Sequence, residues 1–185
     1  MSDWRALPIF KRIPGWGQVL PVYAVVVLMV YSWTGLWFFW KLPSWLFFLS
    51  AGEILTAGAY SLATNLLESL TVLCAPFIAS IVLPRRWFYD RFVARGTALV
   101  ASGLGYMMHV AYQFKSKDDY PSLNLKPFSV AVALVAVLLI VVLAGRIPIV
   151  RKAIEGLADR ATIFLYILVP LSIVALLAVL ARWMV

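Results

Sequence analysis

The sequence predicts an all-α, polytopic transmembrane helical bundle, and three observations support this fold class. Of its 185 residues, 64% are hydrophobic and only 13% are charged, against about 25% charged residues in soluble domains. Five stretches of 19 to 22 residues carry almost no charge, and a helix of about 20 residues crosses the hydrocarbon core of a bilayer. The 16 Lys and Arg residues lie outside these stretches or at their ends. We expect one integral membrane domain, because the remaining chain is too short for a separate soluble domain.

The predicted elements begin with an interfacial N-terminal segment, residues 1–18, in which basic and aromatic side chains accompany Pro and Gly. Such side chains suit the headgroup region of a membrane. The first span follows, and we interpret it as an uncleaved helix rather than a signal peptide because its apolar run is too long. A short amphipathic helix is expected over residues 147–160, before the last span. The five predicted spans are residues 19–40, 66–84, 96–114, 127–145 and 161–181.

The apolar region between the first and second spans predicts a break. One straight helix over residues 41–84 would measure about 60 Å, twice the core thickness. Two capping-box patterns, Ser50 with Glu53 and Asn65 with Glu68, mark possible helix starts because each cap can bond the amide three residues later. We therefore expect a short re-entrant or interfacial helix over residues 50–64 and a second helix start at Asn65. The alternative is a sixth crossing over residues 45–64 with a tight turn at Asn65.

The distribution of cations predicts five crossings with a cytoplasmic N-terminus. This arrangement places 11 of the 16 Lys and Arg residues inside and 5 outside. Six crossings give 7 inside and 9 outside, or the reverse when the chain is flipped. Because cytoplasmic loops are enriched in Lys and Arg, the five-crossing arrangement fits best. We expect an integral protein of a plasma (inner) membrane, with the N-terminus in the cytoplasm and the C-terminus outside.

Ionisable side chains within apolar membrane sequence are costly and mark candidate functional sites. At 100° per residue, an unbroken helix would place polar side chains of the 53–71 region on one face, where they could line a proton or cation path. The capping boxes give both glutamates an ordinary structural role instead, and they interrupt that face. The transport or proton-path candidates are Glu53, Tyr60, Thr64, Glu68, with Thr71 on the same face, and His109.

His109 is the sole histidine in the chain, with Tyr106 and Tyr112 on its own helix face. It could serve a proton relay or act as a lone axial ligand, but a hydrogen-bonded histidine within the bundle is the simpler interpretation. Cys74 is the sole cysteine, so neither an intrachain disulfide nor a cysteine-based zinc site is possible. We expect no metal, no cofactor and no catalytic residue set.

Four basic residues between the second and third spans are candidates for binding lipid headgroups: Arg85, Arg86, Arg91 and Arg95. Contact with anionic lipid of the inner leaflet explains such a cluster. The net charge of +8 does not indicate nucleic-acid binding, because no phosphate loop or arginine-rich arm accompanies it. In the third span, the small residues at 101–105 (Ala-Ser-Gly-Leu-Gly) predict close helix contact.

These observations favour a non-enzymatic membrane protein: a scaffold, anchor or accessory subunit of a membrane complex. Its expected partners are the lipid bilayer and either other membrane subunits or further copies of itself. The alternative is a small proton- or cation-linked transporter or channel that uses intramembrane carboxylates. An intramembrane lipid-modifying enzyme is a third hypothesis, less favoured because no nucleophile or metal set accompanies Glu53, Glu68 and His109.

Overall fold

A computed structural model describes residues 14–85, 87–114 and 127–184 as five long helices and one short 3-10 helix. The helices are α1 (Trp16–Phe48), α2 (Ala51–Val82), α3 (Phe92–Phe114), α4 (Pro127–Arg146) and α5 (Pro148–Met184), with the 3-10 helix at Tyr89–Arg91 before α3. No strand occurs in these described ranges, so the predicted all-α class is confirmed. Residues 1–13, most of the predicted interfacial segment, lie outside them.

Four helices, α1, α2, α4 and α5, are long and apolar enough to cross a membrane. This composition supports the predicted integral membrane location. The described part of α3 does not reach the same apolarity, since Ser102, Tyr106 and His109 interrupt its apolar residues. The count of five crossings therefore stays a prediction.

Helix α1 is longer than the predicted span 19–40. Its 33 residues correspond to about 50 Å at 1.5 Å per residue, which exceeds the thickness of a hydrocarbon core. It ends at Phe48, and Leu49 and Ser50 turn the chain directly into α2. Helix α1 and helix α2 thus form a hairpin, and we call the end of the bundle that contains this turn the hairpin end.

Helix α2 begins as predicted at Ser50 but continues without a break to Val82. The expected separate helix over residues 50–64 is wrong, and so is the helix start at Asn65. Asn65 lies inside the continuous helix and therefore caps no helix start; its side-chain carbonyl instead accepts a hydrogen bond of 2.8 Å from the Thr34 hydroxyl of α1. The six-crossing alternative needed a turn at Asn65, and the continuous helix removes that turn.

Helix α5 is also continuous and joins two predicted elements. Its 37 residues contain all of the expected amphipathic segment 147–160 except Ile147, and the whole of the expected span 161–181. Only Ile147 separates it from α4. The prediction of a separate surface helix is therefore wrong, because α5 continues through Gly156 and past residue 160 without a break.

Helix α1 occupies the centre of the bundle. Val22, Val26 and Val27 are fully buried, and Ala24 and Val25 pack against small and apolar residues of α5, namely Ala158, Ala161 and Leu165. Contacts between helices show that α1, α3 and α5 run in one direction and that α2 and α4 run in the other. The interior is thus an apolar core built around a single central helix.

The close approach of α3 to its neighbours occurs at Gly96 rather than in the predicted segment 101–105. A Cβ atom at Gly96 would lie 3.3 Å from a Val22 methyl group and 3.6 Å from the Cβ of Pro76. A Cβ at Gly103 or Gly105 would meet no atom of the described chain within 4 Å. Within the described chain, the prediction of close helix contact is therefore wrong at Gly103 and Gly105.

Candidate functional site

The continuity of α2 places five polar residues on one helix face, as the sequence predicted for an unbroken helix. We call this set the polar stripe: Glu53, Tyr60, Thr64, Glu68 and Thr71. It spans about 27 Å along the helix axis at 1.5 Å per residue. All five side chains are exposed on the outside of the bundle, including Tyr60 at 40% exposure. The polar stripe therefore faces away from the interior of the single chain.

Glu53 occupies the hairpin end of the polar stripe and caps α2. Its carboxylate oxygen Oε2 accepts hydrogen bonds of 2.8 Å from the Ser50 amide and from the Ser50 hydroxyl. The Glu53 amide in turn donates to the Ser50 hydroxyl at 3.4 Å. This is the reciprocal pattern of a capping box, so a structural role accounts for Glu53.

The two threonines of the polar stripe donate their hydroxyl protons to their own helix. Thr64 Oγ1 donates to the Tyr60 carbonyl and Thr71 Oγ1 to the Leu67 carbonyl, each at 2.9 Å. Both hydroxyl oxygens can still accept a hydrogen bond. The polar stripe thus presents hydrogen-bond acceptors to whatever contacts this face.

Glu68 is the carboxylate that local structure does not explain. It is the 18th of the 32 residues of α2, so it lies near the middle of a helix long enough to span a membrane. Within the described part of the chain, its carboxylate makes no hydrogen bond or ion pair. It lines an open cavity of about 310 Å³ between α1, α2 and α3, whose other walls are Val30, Trp33, Val72, Leu104, Met107, Met108 and Ala111.

His109 lies on α3 and is exposed. It is not among the residues that line the Glu68 cavity, although Met107, Met108 and Ala111 from the same helix are. The structure therefore gathers Glu53, Tyr60, Thr64 and Glu68 on one face and places His109 on a different helix. Their role in a transport path stays a prediction.

Three buried or partly buried polar pairs inside the bundle were not predicted from the sequence. Tyr23 pairs with Ser69 at 3.2 Å, Tyr31 with Ser172 at 2.7 Å and Thr34 with Asn65 at 2.8 Å. Each pair joins α1 to α2 or to α5. The partners are 31 to 141 positions apart in sequence, so helix periodicity carries no signal for them.

A second cavity, of about 360 Å³, lies beside two of these pairs, between α1, α2 and α5. Its walls are Tyr31, Thr34, Gly35, Phe38, Phe39, Gly58, Ser61, Leu62, Asn65 and Leu168. Most of the surface that lines the cavity is apolar. The side-chain amide of Asn65 already accepts a hydrogen bond from Thr34. The cavity thus offers space near the hairpin end but few convergent polar groups.

At the opposite end, three arginines come together, and we call Arg91, Arg95 and Arg146 the arginine cluster and this end of the bundle the arginine end. A guanidinium nitrogen of Arg91 donates to the carbonyl of Gly145, and the Arg95 side chain, 8% exposed, lies against Gly145. Burial and the nearby charges of Arg91 and Arg146 lower the pKa of the Arg95 guanidinium.

Two of the four predicted headgroup residues, Arg91 and Arg95, thus belong to one cluster. Arg85 instead pairs with Asp90 at 4.0 Å, and Arg86 lies outside the described residues. Arg146 was missed by sequence reasoning because it follows a different span, 50 or more positions away from the predicted group.

Among the described residues, no three His, Cys, Asp or Glu side chains lie close enough together to hold a metal ion. The comparisons with known proteins add no functional assignment. No protein family, curated protein or solved structure matches this chain.

Proposed function

We propose that this chain is a non-enzymatic membrane subunit, a scaffold or accessory component, that binds a transmembrane helix of another protein along the polar stripe of α2. One observation carries the proposal: a row of polar side chains lies on the outside of the bundle, on a helix long enough to span a membrane. Polar groups that face lipid are costly, whereas hydrogen bonds between helices compensate for them.

Glu68 is the centre of this surface. A carboxylate near the middle of a membrane-spanning helix is unfavourable beside lipid tails, and Trp33, Met107 and Met108 surround it with apolar side chains. A hydrogen-bond donor or a cation from a neighbouring helix would satisfy it. Thr64 and Thr71, one and nearly one turn away, would accept further hydrogen bonds from the same helix.

Charge complementarity favours a partner of different sequence over a second copy of this chain. A symmetric dimer through this face would bring two Glu68 carboxylates towards each other in a medium of low dielectric constant, where like charges repel strongly. A partner helix that carries Lys, Arg, His or a polar amide at this depth would instead donate a hydrogen bond to the Glu68 carboxylate. The proposed partner is therefore a distinct membrane subunit.

The arrangement of the interior gives less support to a transporter made of one chain. Val22, Val26 and Val27 fill the centre without exposed surface, and three pairs of interior polar side chains bond to each other. A transporter would instead need several copies whose polar stripes face a common axis. That alternative, a small proton- or cation-linked transporter, rests on the 27 Å length of the stripe, close to a core thickness of about 30 Å.

We also propose a plasma (inner) membrane location with the arginine end in the cytoplasm. Seven described cations lie towards this end: Arg85, Arg91, Arg95, Arg146, Arg151, Lys152 and Arg160. The hairpin end has Lys41 and Arg182 among the described residues. The excess of Lys and Arg at one end supports this orientation through the positive-inside rule.

The partner proposal is tested by native mass spectrometry of the tagged chain, extracted from its own membranes in mild detergent. We expect a stoichiometric second protein, and replacing Glu68 with Leu should lower its retention by about tenfold or more, the usual effect of losing a hydrogen bond to a charged group. Glu68→Gln should retain part of the complex because the amide still forms hydrogen bonds.

The matched control is Asp159→Leu, which removes another exposed carboxylate, from α5. Equal retention in Glu68→Leu and in the control, or a complex that contains only copies of this chain, would contradict the proposal. Proton or cation flux in liposomes that contain the purified chain alone, abolished by Glu68→Gln, would favour the transporter.

A further inference from the structure

We propose that the cavity at the arginine end binds the phosphate group of an anionic phospholipid. This cavity has a volume of about 240 Å³ and is lined by Trp87, Arg95, Val142 and Arg146. It lies where the turn before α3 meets the last turn of α4. The site is independent of the proposed partner surface, which occupies a different helix face.

Positive charge is concentrated around this cavity. The charges of Arg91 and Arg146 act on the Arg95 guanidinium, and the charge of Asp90 opposes them. Asp90 is itself shared with Arg85, and both of those side chains are more than half exposed. The region thus carries an excess of positive charge around a nearly buried guanidinium, and an anion would offset that charge.

Gly145 gives the Arg95 side chain room at the end of α4. A Cβ atom at this position would collide with the guanidinium of Arg95, so the absence of a side chain lets Arg95 lie across the end of α4. The backbone carbonyl of Gly145 also accepts a hydrogen bond from Arg91. Two arginines, from α3 and from the turn before it, therefore converge on the residue next to Arg146.

The side chains that line the cavity favour a phosphate group as the anion. The planar guanidinium presents paired N–H donors that match phosphate oxygens. Trp87, 64% exposed, lies at the rim, as amphipathic rings do at the headgroup level of a membrane. Val142 supplies an apolar wall on the side of α4 that leads into the apolar span. Charged and apolar walls in one cavity fit a phospholipid better than a fully water-soluble phosphate.

The experiment titrates the full chain, purified in a neutral detergent, with phosphatidylglycerol or with zwitterionic phosphatidylcholine, and follows bound lipid by native mass spectrometry. We expect preferential binding of phosphatidylglycerol, weakened about tenfold or more by Arg146→Gln, since a charge-assisted hydrogen bond is lost. Arg146→Lys should weaken binding less, because it keeps the charge but loses the paired donors.

Lys152→Gln is the control, because it removes one exposed cation from the same end of the bundle. Circular dichroism and thermal unfolding establish that each variant is folded. Equal loss of phosphatidylglycerol binding in Arg146→Gln and Lys152→Gln would overturn the site. Competition by inorganic phosphate or glycerol 3-phosphate at concentrations similar to that of the lipid would show that the cavity binds a free phosphate group, and it would overturn the proposal of a phospholipid ligand. Absence of such competition supports a phospholipid ligand.

Discussion

At the residue scale, Thr34 and Asn65 illustrate how polar groups are accommodated inside an apolar bundle. Asn65 is 4% exposed, and its side-chain carbonyl accepts the Thr34 hydroxyl proton at 2.8 Å. Removing one partner leaves the other without its bond in a medium that offers no water. The pair therefore links α1 to α2, and it gives Asn65 a contact between helices in place of the predicted role as a helix cap.

We predict that Thr34→Val and Asn65→Leu are energetically coupled. Hydrogen bonds between membrane helices contribute about 0.6 kcal/mol on average and at most about 1.7 kcal/mol in double-mutant cycles, so the coupling energy should fall in this range. The measurement is the free energy of unfolding of the wild type, both single variants and the double variant in mixed micelles. Additive effects of the two substitutions would mean that the bond does not form.

The same pair shows why residue-level prediction from sequence was partly right. Ser50 with Glu53 and Asn65 with Glu68 have the same spacing, and the first forms the predicted capping box. The second does not, because α2 is helical through Asn65, whose side chain accepts a hydrogen bond from a residue 31 positions earlier. A local pattern cannot reveal a hydrogen bond between separate helices.

At the element scale, α2 is the feature on which the proposed function depends. Its single run from Ala51 to Val82 converts two predicted segments into one helix and aligns the polar stripe. The helix contains Pro76 without ending there, since the apolar neighbours of Pro76 bury it completely. Tertiary packing thus maintains a helix that local signals alone would interrupt.

We predict a long distance between the two ends of α2. Spin labels at Gly52→Cys and Val82→Cys, in a Cys74→Ala background, should be separated by about 45 Å for 30 residues of helix, reduced slightly by any bend at Pro76. Double electron–electron resonance in reconstituted membranes measures this distance. A much shorter separation would indicate that residues 50–64 fold back as a separate helix.

The direction of the polar face of α2 could not be predicted from its sequence. In a soluble helix, the apolar face points inward, but a membrane helix has apolar surroundings on both sides. The spacing from Glu53 to Thr71 was therefore sufficient to predict a common face, whereas only the packing of α1 and α5 against the rest of α2 places that face outside.

At the scale of the whole molecule, the bundle combines an apolar interior with two chemically different ends. The arginine end holds the arginine cluster, and the hairpin end contains the α1–α2 turn and the Arg182–Thr56 hydrogen bond of 3.0 Å. Composition predicted the membrane class well, because long uncharged helices are sufficient for it. Of the arginine cluster, Arg91 and Arg95 were predicted as headgroup residues and Arg146 was not, because its approach depends on how α3 packs against α4.

We predict that the two ends lie on opposite sides of the membrane. In cells that express Gly52→Cys or Lys152→Cys in a Cys74→Ala background, a membrane-impermeant maleimide should label residue 52 from outside. Residue 152 should become reactive only after lysis, because the positive-inside rule places the arginine end in the cytoplasm. Labelling of both residues from the same side would contradict the proposed orientation.

Contact between the polar stripe of α2 and a helix of another protein, as proposed above, is tested by site-specific photo-cross-linking in native membranes. A photoreactive amino acid replaces Thr64 or Thr71 on the stripe, or Leu138, an exposed apolar residue of α4, as the control. We predict that both stripe positions form a cross-link to the same distinct membrane protein and that Leu138 does not. Cross-links from the stripe only to lipid, or only to a second copy of this chain, would contradict the claim.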